Sequence, residues 1–195
     1  MLELQEYIKA CFGVMQADEL ETISTFFNLT TLKKGDTFLH AGRSCQKLAF
    51  VQSGYLRISA TTEDREVTQW ISVKGNFVTD LSSFIFEGPA RWTIQALTDC
   101  EVYIINKEKY KEIGEVVSSW PELEKLFLVR CFVILENRIY SHLSMTAEER
   151  YRFFYEHNRE LFNQVPLQYI ASMLGMTPET FSRIRRKELP SRPGV

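Results

Sequence analysis

The sequence predicts an α+β protein in which an antiparallel β domain comes first, a long helix follows and a group of short helices comes last. Between residues 31 and 105, short runs rich in Val, Ile, Thr and aromatic residues alternate with single glycines, which is typical of strands joined by turns. Residues 122–142 contain neither glycine nor proline, which favours one continuous helix. Residues 165–187 carry apolar residues at helical spacing on both sides of a glycine, which indicates two short helices.

The β domain is predicted to be a sandwich or a barrel rather than a parallel sheet, because its many short strands follow one another closely. Before it, residues 2–29 place Leu20, Ile23 and Phe26 at spacings that indicate one or two short helices. The predicted strands are residues 47–52, 55–60, 66–72, 92–97 and 101–105.

The composition is that of a soluble globular protein, with 195 residues of which 45% are apolar and 25% charged. The net charge is −2, yet residues 147–195 hold eight Lys and Arg against six Asp and Glu and are therefore net positive. No apolar run approaches the length of about 18 residues that a membrane span requires. The first residues also lack the pattern of a secretory signal, so we expect neither a membrane span nor secretion.

The four cysteines, Cys11, Cys45, Cys100 and Cys131, are widely spaced and form no C-x-x-C motif. This spacing indicates neither a zinc site nor a redox motif, and we expect free thiols in a reducing cytoplasm. An enzyme built on a metal-binding β-barrel is disfavoured, because the strand region holds a single histidine, His40. We therefore predict no enzyme activity, no metal and no cofactor.

The long helix is expected to begin near Pro121, which suits a first helical turn. Its apolar positions cover a wider arc than packing on one neighbour requires. We therefore expect it to contact the β domain on one side and a second copy of the chain on the other. The alternative is a single helix buried in one core. The residues expected on the dimer face are Leu123, Leu126, Val129, Arg130 and Val133.

A further helix is predicted to begin after Thr146, because Thr146 and Glu149 have the spacing of a capping box. The next stretch, residues 165–187, predicts a helix-turn-helix. Gly175 tolerates the positive φ at which the first helix must end, and Thr177 followed by Pro178 is a typical start of the second. So short a connection is typical of a helix-turn-helix rather than of two independent helices. The first helix is expected to bury Leu167, Ile170, Ala171 and Leu174.

The second helix has one apolar side, formed by Phe181 and Ile184, and a polar side that faces outward. An arginine makes a bidentate contact with guanine and a glutamate accepts from the amino group of cytosine, so the polar side predicts reading of DNA bases. Flanking cations would contact phosphates. The alternative is an ordinary solvated basic face. The residues expected to bind DNA are Thr177, Glu179, Ser182, Arg183, Arg185, Arg186 and Lys187.

The order of these parts resembles the Crp/Fnr family of bacterial regulators over nearly the whole chain. The resemblance implies a cyclic-nucleotide-binding-like β-roll (a jelly roll) at residues 1–118, a dimerisation helix and hinge at 119–145, and a helix-turn-helix DNA-binding domain at 146–195. Glu179 and Arg183 match family positions that read bases. In the β domain the resemblance rests on residues 32–35 (LKKG), Gly42, residues 51–54 (VQSG), 75–77 (GNF) and 96–102 (ALTDCEV).

Cyclic-AMP binders of this family carry Gly-Glu-Leu, whose glutamate holds the ribose, and a later Arg-Ser or Arg-Thr, whose arginine pairs with the cyclic phosphate. Here gapless alignment puts Ala90 at the arginine position, with Arg91 one residue late, and in a strand such a shift turns a side chain to the other face. We therefore do not expect cyclic AMP to bind. The expected pocket, for an effector of unknown identity, comprises Thr79, Asp80, Leu81, Arg91 and Trp92.

The partners that the resemblance implies are double-stranded DNA, a second copy of the chain, a small-molecule effector and RNA polymerase, with no membrane. An iron–sulfur sensor of the Fnr type would need clustered cysteines, which this sequence lacks. Only residues 188–195 follow Lys187 in this sequence, so we do not expect the usual two-stranded wing. The alternative function is a sensor or interaction module that no longer binds DNA.

Overall fold

The structure is a computed structural model that describes residues 2–188. All strand pairs in this part of the chain are antiparallel. The strands are β1 (Asn28–Leu32), β2 (Thr37–Leu39), β3 (Lys47–Ser53), β4 (Leu56–Thr61), β5 (Glu66–Ser72), β6 (Phe77–Val78), β7 (Thr93–Ala96) and β8 (Cys100–Asn106). They form two four-stranded sheets, in the orders β1-β8-β3-β6 and β2-β7-β4-β5, which confirms the predicted α+β fold with an antiparallel β-roll.

The helices surround and extend this β-roll. Two precede it, one lies within it and the rest follow it, as the sequence predicted for the two ends of the chain. They are α1 (Leu2–Phe12), α2 (Ala17–Thr25), α3 (Leu81–Phe86), α4 (Lys107–Val116), α5 (Trp120–Ser144), α6 (Ala147–His157), α7 (Leu161–Gln164), α8 (Leu167–Met173) and α9 (Pro178–Glu188).

The five strands predicted from sequence are present, with ends that differ by one residue at most. Three further strands, β1, β2 and β6, were missed. Four of the five residues of β1 are exposed, so it lacks the alternation that marks a half-buried strand. The other two have three and two residues, which is too short for any period to be read.

The core of the β-roll lies between the two sheets and under α1. Strand β3 shows this best, because Leu48, Ala49, Phe50 and Val51 are all 0% exposed. Four consecutive buried residues mean that both faces of the strand are covered. On the side of β3 that faces α1, the contact is aromatic, because the ring of Phe50 lies 6.3 Å from that of Tyr7.

The first half of α5 is anchored in this core. Phe127 stacks on Phe12 of α1, with ring centroids 4.9 Å apart, and meets Phe77 of β6 edge-on at 4.6 Å. Trp120 packs against Phe12 as well, at 5.0 Å. The second half of α5 runs beyond these contacts towards the C-terminal helices.

The C-terminal helices share a second hydrophobic cluster centred on Tyr151 of α6. Its ring lies 5.8 Å from that of Phe162 and 5.3 Å from that of Phe181 in α9. The cluster also includes Ile71 of strand β5, so the C-terminal helices pack directly against the β-roll. The capping box before α6 is confirmed, because the amide of Glu149 donates to Thr146 Oγ1 and the amide of Thr146 donates to the Glu149 carboxylate.

We expect Phe127→Ala to lower the free energy of unfolding by about 3–5 kcal/mol, because it removes a ring that is packed on two aromatic neighbours and leaves a cavity. Phe86→Ala is the matched control. Its ring is 81% exposed, so the change should stay within about 0.5 kcal/mol. Urea denaturation of the two variants measures the difference, and equal losses would show that the core is not where the structure places it.

Candidate nucleic-acid interface and effector pocket

The turn between α8 and α9 is closed by two backbone hydrogen bonds around Gly175. The amide of Met176 donates to Ala171 O at 2.9 Å, and that of Gly175 to Ser172 O at 3.0 Å. This is a Schellman motif, which requires the left-handed conformation that Gly175 adopts with a φ of 71°. The glycine predicted to end the first helix therefore does so.

Helix α9 begins as the sequence predicted. The hydroxyl of Thr177 accepts from the amide of Thr180 at 3.2 Å, which satisfies a free amide of the first turn. Phe181 and Ile184 are each 2% exposed and hold the helix against the Tyr151 cluster. Because these two residues fix its inner side, the opposite side of α9 is exposed.

The structure exposes most of the residues that the sequence assigned to DNA. Arg185 is half-buried, and the ammonium of Lys187 lies 3.0 Å from the carboxylate of Glu148 in α6. Within residues 2–188, Arg183 and Arg186 form no ion pair, so their guanidinium groups keep their hydrogen-bond donors. The exposed members of the set are Thr177, Glu179, Ser182, Arg183, Arg186 and Lys187.

Glu179 lies in the first turn of α9. Its own backbone amide and the hydroxyl of Thr177 lower the pKa of its carboxyl, so that this group is ionised at neutral pH. An ionised carboxylate is a hydrogen-bond acceptor only, which suits the amino group of a cytosine and disfavours a phosphate.

Helix α8 is docked on strand β5 of the β-roll. The amide of Thr68 donates to the hydroxyl of Ser172 at 2.9 Å. The guanidinium carbon of Arg57 in β4 lies 3.7 Å from the ring centroid of Tyr169, which is a cation–π contact. Arg57 is itself held by Thr68 Oγ1 and by the carboxylate of Glu66, each at 2.9 Å. Sequence reasoning missed this docking, because it joins residues about a hundred positions apart.

Arg138 of α5 completes the joint between the two parts. One guanidinium nitrogen donates to Met173 O of α8 at 3.0 Å and the other to Gln69 O of β5. Burial lowers the pKa of Arg138, and its position over the ring of Trp70 at 5.5 Å adds a cation–π contact. A single side chain therefore links the long helix, the sheet and the helix-turn-helix.

A cleft of about 980 Å³ lies between the β-roll and the helix-turn-helix, beside this joint. Its walls include Arg65 and Trp92 from the β-roll and His142 from α5, and the start of α9 reaches it with Thr177 and Glu179. In this arrangement the first turn of α9 faces the β-roll across open space.

Asp80 is the centre of the predicted effector pocket, but its carboxylate is occupied by the chain itself. It is 4% exposed and accepts from the amides of Ser83 at 3.0 Å, Arg91 at 2.9 Å and Trp92 at 3.3 Å. The first of these bonds caps α3. The carboxylate thus fills a group of backbone amides of the kind that binds anions.

The other pocket residues are dispersed around Asp80. Ala90 is 4% exposed and packs in the core, whereas the neighbouring Arg91 is exposed. The hydroxyl of Thr79 donates to Lys47 O at 2.9 Å, and Leu81 packs at the edge of the core. Trp92 lines the cleft described above.

The predicted dimer face needs correction at two positions. Leu123 is 4% exposed and lies in the core, and Arg130 donates to Ala10 O of α1 at 2.6 Å, so both are used within the chain. The sequence correctly predicted that both residues contact a neighbour. For Leu123 that neighbour is the core, and for Arg130 it is α1, rather than a second copy of the chain.

Most of the exposed apolar residues of α5 fall on an arc of roughly 160°, at about 100° per residue, and Glu136 lies on the same arc. Leu126, at 41% exposure, lies just beside the arc, and Ile134 lies on another side of the helix. The apolar residues on the arc are Leu128, Val129, Phe132, Val133, Leu135, Ile139, Tyr140 and Leu143.

Within residues 2–188, every helix is too short or too polar to span a membrane. In the same part of the chain there is no group of three or more His, Cys, Asp or Glu side chains placed to hold a metal ion. The four cysteines are all free thiols. The prediction about the missing wing falls on residues 189–195, which lie outside the described residues.

Residues 29–115 match the sequence profile of the cyclic nucleotide-binding domain. No curated protein matches the sequence of the chain. Among solved structures, the c-di-GMP responsive global regulator CLP of Xanthomonas campestris is 17% identical with a TM-score of 0.64, over 88% of this chain and 91% of that one.

Two further structures extend the comparison. The catabolite activator protein of Thermus thermophilus is 21% identical with a TM-score of 0.57, over 91% of this chain and 85% of that one. The regulatory domain of Toxoplasma gondii PKA with cAMP is 17% identical with a TM-score of 0.53. That match covers 57% of this chain but only 43% of the PKA chain. At these identities the likeness shows the fold. Residues 29–115 therefore match the cyclic nucleotide-binding domain, and most of the chain shares the fold of the two bacterial regulators named above.

Proposed function

We propose that this chain is a homodimeric, DNA-binding transcription regulator whose β-roll senses an effector. The observation that carries the proposal is the outward side of α9, where Glu179, Arg183 and Arg186 are exposed while Phe181 and Ile184 fix the helix from behind. A helix held in this way enters a major groove with its polar side foremost. The similarity to regulators over most of the chain supports the same function.

The roles of the exposed residues follow from their chemistry. Arg183 is placed to make a bidentate contact with a guanine, and Glu179 to accept from a cytosine. Arg186 lies on the same side of α9 as these two residues. Arg185 and Lys187 flank that side, where cations contact phosphates and set the register. Thr177 and Ser182 supply short hydroxyl groups that hydrogen-bond to a base edge or a phosphate.

We expect Arg183→Ala to weaken binding to a DNA sequence selected from random fragments by about 1–3 kcal/mol and to relax the choice of base at one position. Lys187→Ala is the matched control. It should weaken binding to all sequences about equally and reduce the salt slope by about 1. Titrations at several salt concentrations measure both effects. If Arg183→Ala binds the selected sequence as tightly as the wild type, the base-reading side of α9 is wrongly assigned.

The alternative is a sensor or interaction module that no longer binds DNA. The same titrations distinguish such a module from a regulator. A protein without this activity would bind neither heparin nor genomic DNA fragments with an affinity that falls as salt rises. A steep fall with salt is expected from the exposed cations of α9.

The dimer is proposed from the exposed apolar arc of α5. One helix-turn-helix contacts only a few base pairs, so useful specificity requires two copies on half-sites about 10 base pairs apart. Side chains such as Phe132, which is 65% exposed, and Ile139, which is 60% exposed, form a contiguous apolar surface of the kind that marks a protein interface. Pairing of two α5 helices about a two-fold axis would bury them and place both α9 helices on one side of the assembly.

We expect Phe132→Glu to weaken dimerisation and DNA binding together, because it places like charges within the proposed seam. Asn137→Glu is the matched control, since it adds the same charge roughly 140° around the helix and should leave the dimer intact. Light scattering gives the mass in solution, and a titration gives the DNA affinity. A wild-type protein that stays at the monomer mass and binds a single half-site tightly would contradict the dimer.

Cyclic AMP is not expected to be the effector. The carboxylate of Asp80 already occupies the backbone amides beside α3, and the Arg91 side chain is exposed. A cyclic phosphate would have to displace a buried carboxylate and would then lie beside its negative charge.

We expect cyclic AMP to leave the melting temperature unchanged. A ligand present at a hundredfold its dissociation constant would add about 2.7 kcal/mol to the free energy of unfolding, which a melting curve detects easily. Cyclic GMP serves as a second nucleotide under the same conditions. A clear rise in melting temperature with either nucleotide would show that the loop around Asp80 rearranges to admit a phosphate.

A further inference from the structure

A cavity of about 430 Å³ lies where α5, α6 and α8 meet, and it shares Arg138, His142 and Met173 with the large cleft. This volume is in the range of small-molecule sites, about 300–1,000 Å³. Most of the lining is apolar, and it comes from Trp70, Ile134, Phe153, Phe154 and Leu174.

Two arginines line this apolar cavity without a carboxylate to pair with. Arg150 donates to Met145 O at 2.7 Å and to Leu174 O at 3.2 Å. Arg138 donates to Met173 O and to Gln69 O. Within residues 2–188, neither guanidinium forms an ion pair with an acidic side chain.

Uncompensated positive charge beside apolar walls favours an anion there. An arginine stays protonated even when it is half-buried, so the charge is not removed by titration. Carbonyl groups satisfy some of the donors of each guanidinium but do not neutralise it. A carboxylate would do both, through short charge-assisted hydrogen bonds.

We propose that this cavity binds a small monocarboxylic acid with an apolar body. The carboxylate pairs with Arg138 and Arg150, and the body packs on Trp70 and the Phe154 side of α6. The proposed binding site is argued from the cavity and its two arginines alone. That such an acid is the effector rests on the proposed function, because the lining joins the sheet, the long helix and the helix-turn-helix, and a ligand that binds one arrangement of these parts better shifts the population towards it.

The test uses the full chain with decanoate and 4-phenylbutyrate as probes, kept below micelle-forming concentrations. Calorimetry and tryptophan fluorescence measure binding, since Trp70 lines the cavity. Both acids should bind, while decanamide and 4-phenylbutyramide, which have the same bodies without the charge, should bind at least about tenfold more weakly. Absence of binding by both acids, or equal binding by acids and amides, overturns the proposal.

Two variants locate the site. Arg150→Gln keeps hydrogen-bond donors but removes the charge, and should weaken the acids by about tenfold or more without affecting the amides. Arg152→Gln, on the same helix but paired with Glu188, is the matched control and should change the affinity less than about twofold. If Arg150→Gln does not fold, Asn137→Trp decides, because it fills the mouth of the cavity from an exposed position and should abolish binding.

Binding of the acids to the wild type and to Phe132→Glu, the variant in which dimerisation is weakened, tests whether the cavity is open in the dimer. The wild type and Phe132→Glu should bind the acids equally well. If the acids bind only to Phe132→Glu, the partner copy fills the cavity in the dimer and the proposal is overturned. These measurements contain no DNA. The DNA titrations in turn contain no acid, so failure of the ligand site and failure of the regulator function are seen independently.

Discussion

The docking of helix α8 on strand β5 is the contact on which the rest of the structure depends. It consists of the hydrogen bond from Thr68 to Ser172, the cation–π contact of Arg57 with Tyr169 and the apolar contact of Ile71 with the C-terminal cluster. Because α9 is fixed to α8 by the Gly175 turn, this one contact sets the direction of the whole outward side of α9 relative to the β-roll.

The contact is polar enough to be reversible. A cation–π contact is worth about 0.5–1 kcal/mol at an exposed site and about 2 kcal/mol when desolvated, as for the buried Arg57. A neutral hydrogen bond is worth about 0.5–1.5 kcal/mol. Arg57 would remain paired with Glu66 and Thr68 if Tyr169 moved away, so undocking does not leave this buried cation without a partner. The proposed regulator would need such an arrangement, in which two orientations of α8 and α9 differ by only a few interactions.

Sequence reasoning located the parts whose chemistry is local. Gly175, Thr177 and the Thr146–Glu149 capping box each act within a few residues, and the structure confirms all three. It could not locate the joint, because Thr68 and Ser172 are 104 residues apart and nothing in either segment records the other. The predicted dimer face was wrong at Leu123 and Arg130 for a related reason. A helical arc can be read from the sequence, but tertiary packing decides which side of the helix faces the rest of the protein.

The distribution of charge in the two candidate pockets indicates where an anion is recognised in this chain. Beside α3, Asp80 brings its own carboxylate to the backbone amides, and an added anion would be repelled. At the joint, Arg138 and Arg150 line an apolar cavity, and within residues 2–188 their hydrogen bonds go to carbonyl groups rather than to carboxylates. In the β-roll, the carboxylate of Asp80 is thus the anion that accepts hydrogen bonds from the protein. At the joint, residues 2–188 supply no such anion to Arg138 and Arg150. A ligand that supplies this anion would act directly on Arg138, which holds α8 and strand β5 together.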